Sequence, residues 1–94
     1  METMRRIWPI LGGLFMCVFD YPVIDMKATG QRLRELRKQK GLTIKTVCEA
    51  LRVSPQALGK WESGKALPTL DNLYALSFLY DVRMNDMLIE NKRI

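Results

Sequence analysis

Residues that stop one helix and start the next recur at short intervals between Gly41 and Thr69, and this punctuation restricts the chain more than any other feature. Gly41 and Gly64 suit the left-handed residue that follows a helix end. Thr43 and Ser54 can each accept a hydrogen bond from the first free N–H groups of a helix. Pro55 fits a first helical position, where it has no needed N–H to lose. Pro68-Thr69 marks one more start. Helices are therefore predicted near 29–39, near 43–51, from Ser54 to Gly64, and from Pro68-Thr69 to about residue 80. Thr46 stands where a capping box would want Glu, so only half of that box is present. Only Arg52-Val53 separates the second helix from the third, and two helices joined so tightly must cross at a steep angle.

The apolar spacing assigns an inner face to each helix. Leu33 and Leu36 share one side of the first. Val47, Ala50 and Leu51 are the inward candidates of the second, and Ala57, Leu58 and Trp61 those of the third. Leu70, Leu73, Leu76 and Leu79 or Tyr80 form a stripe on the fourth. A last short helix is expected near 84–90, with Met84, Met87, Leu88 and Ile89, and residues 91–94 are expected to fray. Five short helices with brief connections make an all-α domain. No internal repeat or low-complexity tract interrupts them.

Charge is concentrated in the same middle segment. The net charge is +5, and residues 30–64 alone carry eight basic and three acidic groups. A basic segment between near-neutral flanks suits a polyanion partner, and it equally describes a solvated basic face. The chain contains no histidine, which removes the commonest general base and the commonest metal ligand. Two cysteines, Cys17 and Cys48, cannot form a zinc site by themselves and do not resemble a disulfide framework, which fits a reducing cytoplasm. No phosphate-binding glycine loop or catalytic set is visible. An enzyme, a cofactor and a small-molecule substrate therefore have no supporting residues.

The first 25 residues differ from the rest. Ile7 to Phe19 is an almost unbroken apolar run of thirteen, preceded by Arg5 and Arg6. Thirteen residues are too few for an ordinary transmembrane helix. The basic start resembles a signal-peptide core, but Phe19-Asp20-Tyr21-Pro22 offers no small-x-small cleavage site. A disordered tail, a small apolar helix packed on the domain, and translated upstream sequence before a start at Met26 are the other readings. The chain is accordingly divided into an apolar extension, 1–25, and a globular domain, 26–94.

One joint pattern narrows the fold further. It runs through Leu33-Arg34-Glu35-Leu36-Arg37, Gly41-Leu42-Thr43, Val53-Ser54-Pro55-Gln56-Ala57-Leu58, Trp61-Glu62-Ser63-Gly64, Leu67-Pro68 and Leu73-Tyr74-Ala75-Leu76. With this spacing it resembles the Xre/Cro–C1 family of helix-turn-helix transcriptional regulators over about residues 28–90. The resemblance implies a five-helix, lambda repressor-like DNA-binding fold. The second helix would brace on the DNA backbone and the third would lie in the major groove.

Carried onto this chain, the resemblance makes Pro55, Gln56, Gly59 and Lys60 the groove-facing positions. Gln56 can pair with adenine and Lys60 can donate to guanine, whereas Pro55 and Gly59 have no side-chain donors for base edges. Thr43 and Ser54, with the N–H groups they cap, match phosphate contacts, as do Ser63 and Lys65. Arg37 and Glu62 match a partly buried structural salt bridge, and Trp61 matches a core position. There are departures from the family pattern. Ile44 replaces a common Gln and removes a phosphate contact. Cys48 replaces a usual Ala at the helix crossing and is expected to be buried and inert. Arg52 replaces the turn glycine, and Gly59 weakens the third helix.

The resemblance implies a cytoplasmic homodimer on double-stranded DNA, regulating transcription as a repressor that excludes polymerase. Candidate dimer surfaces are the region of Met84, Met87 and Leu88 and the apolar N-terminal run. A protein-interaction module of antitoxin type and a membrane-tethered regulator anchored by residues 7–19 are the rival readings.

Overall fold

The computed structural model describes residues 22–92. In order they form β1 (Pro22–Ile24), α1 (Met26–Gln39), α2 (Ile44–Leu51), α3 (Pro55–Ser63), α4 (Leu70–Tyr80), α5 (Met84–Met87) and β2 (Glu90–Lys92). Among the described residues no helix is long and apolar enough to cross a membrane. The readings that concern the apolar run at 7–19, including an anchor and a dimer surface, lie outside the described residues.

The start signals work as local chemistry requires. Thr43, Ser54 and Thr69 are extended N-cap residues whose hydroxyls accept from Thr46 N at 3.1 Å, Ala57 N at 3.1 Å and Asn72 N at 3.3 Å. Thr46 also brings its hydroxyl to within 2.9 Å of the Thr43 hydroxyl, so the missing glutamate is replaced by a hydroxyl pair. The ends of α1 to α4 share one device: a left-handed residue followed by an N–H that reaches back five positions. Gly41 (φ 68°) and Gly64 (φ 82°) adopt it without a Cβ penalty. Arg52 (φ 59°) and Asp81 (φ 56°) adopt it at a cost of about 1 kcal/mol each. Val53 N then donates to the Cys48 carbonyl at 3.1 Å, and Val82 N to the Ser77 carbonyl at 3.0 Å.

Leu33, Leu36, Val47, Cys48, Leu58, Trp61, Leu73, Leu76, Tyr80 and Met87 form one buried core. Burial, with a smaller push from the Glu62 charge, raises the Cys48 thiol above its ordinary range and keeps it a neutral apolar filler. Close packing of α1 on α3 depends on Gly30, where a Cβ would lie 2.5 Å from the Trp61 carbonyl oxygen and 2.7 Å from that of Glu62.

Several expectations are corrected. The first helix begins at Met26, a turn earlier than 29, because the Asp25 carboxylate accepts from Ala28 N at 3.0 Å and caps it there. The fifth helix ends at Met87 and not near 90. Glu90–Lys92 then pairs antiparallel with Pro22–Ile24, so Asn91 and Lys92 are strand residues where fraying was expected. The clasp is tied to α1: Asp25 N donates to the Ile89 carbonyl at 2.7 Å, and Ile89 N to the buried Thr29 hydroxyl at 2.9 Å. Ala50 is exposed, and Cys48 takes the inward position beside Val47. Leu70 is 71% exposed although its spacing matched the inner stripe, while Leu73, Leu76 and Tyr80 are buried. The physical reason is that α4 carries apolar residues on more than one side, so periodicity alone left its rotation open.

Candidate nucleic-acid interface

The α3 helix carries most of the candidate residues. Leu58 and Trp61 bury its inner side, and this rotation leaves Pro55, Gln56, Gly59, Lys60 and Ser63 exposed on the outer side. Gly59 faces open space: a Cβ there would meet nothing within 4 Å. Lys65 is exposed just beyond the helix, where its N–H donates to the Lys60 carbonyl at 2.9 Å. Thr43 and Ser54 are exposed at the first ends of α2 and α3, which follow one another through the left-handed Arg52.

Capping leaves chemistry to spare at Ser54. Its oxygen accepts from Ala57 N, so its own hydroxyl proton is free to donate outward. Thr43 and Thr46 share one hydroxyl contact, which uses one of their two protons and leaves the other. Ser63 is different: its hydroxyl donates to the Lys60 carbonyl at 3.2 Å, so its proton is already committed within the helix. Around these groups stand Lys45, Arg52, Lys60 and Lys65, all exposed, and none pairs with a carboxylate among the described residues. Lys45 is absent from the contacts expected from sequence, and Thr46 enters there only as a capping residue. Their signal was their place in the first turn of a helix capped by Thr43.

The orientation of α3 is held from behind. Arg37 on α1 makes a two-pronged contact with Glu62, Nε to Oε2 at 2.7 Å and Nη2 to Oε1 at 3.1 Å. Its third nitrogen, Nη1, donates to the Leu42 carbonyl at 3.1 Å, which ties in the α1–α2 turn. Both side chains are more than nine-tenths buried. The Glu62 carboxylate is thereby consumed on the inner side and adds no free negative charge to the outer face. Trp61 is 6% exposed and packs in the core.

The helix-turn-helix family profile matches residues 33–86, more than half of the chain. This protein belongs to the helix-turn-helix family of transcriptional regulators, Cro/C1 type. The family match runs from within α1 to within α5 and leaves the β1–β2 clasp outside it. The chain is similar to the HTH-type transcriptional activator BcrR of Enterococcus faecalis, 38% identical over 58 residues, which are 62% of this chain and 28% of BcrR. It also resembles the restriction-modification controller protein C.AhdI of Aeromonas hydrophila, with a TM-score of 0.62 and 32% identity over 67% of this chain and 96% of that one. The P22 c2 repressor, solved with a synthetic operator, superposes with a TM-score of 0.61 and 28% identity, covering 64% of this chain and 91% of that one. The matched part of this chain spans about a quarter to a half of the length of its sequence relatives. The five-helix, repressor-like architecture expected from sequence is the observed one, with the small clasp added.

Proposed function

We propose that the chain binds double-stranded DNA sequence-specifically as a homodimer and regulates transcription in the cytoplasm, acting as a repressor by covering promoter DNA. The observation that carries this reading is the outer face of α3: polar, exposed, and bordered by capped helix starts and by cations that pair with no carboxylate among the described residues. Gln56 is the bidentate reader of adenine, and Lys60 donates to guanine O6 or N7. Gly59 lets the helix backbone come close to the groove. Ser54, Thr43 and Thr46 use their remaining hydroxyl protons, and the free N–H groups of α2 and α3, to hold phosphate oxygens. Lys45, Arg52 and Lys65 supply the salt-dependent attraction. Ser63 contacts phosphate only after giving up its bond to the Lys60 carbonyl. Two readers per helix discriminate few base pairs, so two copies of α3 in successive major grooves are needed for useful specificity.

The test is a titration of the full chain against random duplex DNA at several salt concentrations, followed by selection of enriched sequences. Steep loss of affinity with salt and enrichment of an inverted repeat are expected. Absence of binding at low salt would sink the DNA reading in favour of a protein-interaction module of antitoxin type.

A further inference from the structure

Ile44 opens α2 and is 42% exposed, beside helix starts that are otherwise polar. A branched apolar side chain gains nothing there from capping or helix propensity. It borders an open groove between the first turns of α2 and α3, together with Cys48, Val53 and Pro55. Cys48 is buried and Val53 half-buried, so they form the floor, while Ile44 and Pro55 stand exposed at the sides. Two charged side chains complete the border: Lys45 in the first turn of α2 and Glu49 one turn further on. The groove is thus apolar inside, cationic at the end near the helix starts and anionic at the other. Pro55 belongs also to the outer face of α3, so groove and face are continuous.

We infer that this groove reads the 5-methyl group of a thymine in the DNA major groove, with Ile44 and Pro55 as the residues that determine specificity there. The inference rests on the DNA-binding reading given above and deepens it by one base pair. Thymine is the unmodified base whose major-groove edge carries an apolar group, and apolar side chains recognise that group by contact. Neither Ile44 nor Pro55 has a side-chain donor or acceptor, so a purely hydrogen-bonding base edge gains nothing from them. Thr43 and Ser54, the proposed phosphate contacts, immediately precede Ile44 and Pro55. A duplex held by those two residues passes its base edges across the mouth of the groove.

Charge fixes the direction of entry. Lys45 attracts the phosphate that flanks the base, and Glu49 repels a backbone approaching from the far end. Pro55 and Gln56 are consecutive, and consecutive Cα atoms lie about 3.8 Å apart, close to the ~3.4 Å rise of one base step. The thymine therefore lies within two base pairs of the adenine that Gln56 reads. Covering one methyl group changes affinity about three- to fivefold per half-site.

The experiment uses the full chain on the duplex that it selects. Each thymine is replaced in turn by deoxyuridine, which removes the methyl group and keeps every hydrogen-bonding group. One position per half-site is expected to lose about three- to fivefold in affinity. Ile44→Ala and Ile44→Gln, each checked by a melting curve, are expected to bind the thymine and deoxyuridine duplexes equally. Gln56→Ala is expected to bind more weakly and still prefer thymine there. Specific binding that is indifferent to every methyl removal overturns the inference and leaves the DNA reading standing. An Ile44→Ala protein that prefers thymine as strongly as the parent also overturns it, because the methyl is then read elsewhere. The DNA-side replacement decides the matter even if a variant fails to fold. Absence of binding to any duplex at low salt removes the DNA reading and this inference together.

Discussion

The α3 and α4 helices stand on the same core, and each leaves a side outside, but the two outer faces are chemically opposite. The outer side of α3 is small and polar, with Gln56, Gly59, Lys60 and Ser63 exposed. The outer side of α4 is large and apolar, with Leu70, Tyr74 and Phe78 exposed. A wet, charged partner suits the first, because hydrogen bonds and ion pairs to a polyanion need little apolar burial. A dry protein contact suits the second, because its only gain comes from removing apolar area from water. Exposure by itself therefore does not define a site; what is exposed does.

The largest expected effect breaks the support behind α3. Glu62→Ala leaves the Arg37 charge buried without its carboxylate partner, and it should destabilise the domain by about 3–5 kcal/mol. Chemical denaturation would measure this, and a loss below 1 kcal/mol would mean that the clamp does not hold α3. Next comes the face itself. Gln56→Ala and Lys60→Ala should each weaken specific DNA binding by about 1–3 kcal/mol with little change in melting temperature. Phe78→Glu should leave single half-site affinity unaltered, so the two helices would separate in one set of binding curves.

A smaller effect tests the inner side of α4. The fully buried Tyr80 hydroxyl has no hydrogen-bond partner among the described residues. Burial, and then the Glu62 charge, push its ionisation up to about 12. The folded protein thus keeps a proton that the unfolded chain releases near pH ~10. The associated stability is complete below that pH and is lost as the pH rises through about 12. Tyr80→Phe should flatten this alkaline loss and leave neutral-pH stability within about 1 kcal/mol of the parent. An unchanged alkaline profile would assign the loss to another group.

The smallest effect is at Gly59. With nothing within 4 Å of an added Cβ, Gly59→Ala should stabilise the free domain by about 1 kcal/mol. If α3 lies deep in a groove, the same methyl group should weaken DNA binding. Unchanged binding would mean that this stretch of the backbone stays clear of the bases.

Much of this architecture was legible along the chain. Thr43, Ser54-Pro55, Gly64 and Thr69 mark helix ends because capping involves groups only a few residues apart, and the identity of those residues decides the geometry. The outer face of α3 followed from the same local logic once Leu58 and Trp61 were assigned inward. Even the capped start of α1 was present, in Asp25, three residues before the Ala28 N–H it accepts from.

The features that sequence left open join residues far apart. Ile89 meets Thr29 from sixty positions away, Glu90 pairs with Ile24, and three-residue strands carry no periodicity to announce this. The rotation of α4 belongs to the same class. Its apolar residues allow more than one inner face, and contact with Val47, Leu58 and the other core side chains sends Leu73, Leu76 and Tyr80 inside and leaves Leu70 out. Local hydrogen bonding thus determined where the helices begin and end, while the competition among apolar surfaces for one core, which exists only in the folded chain, decided which sides remain for partners.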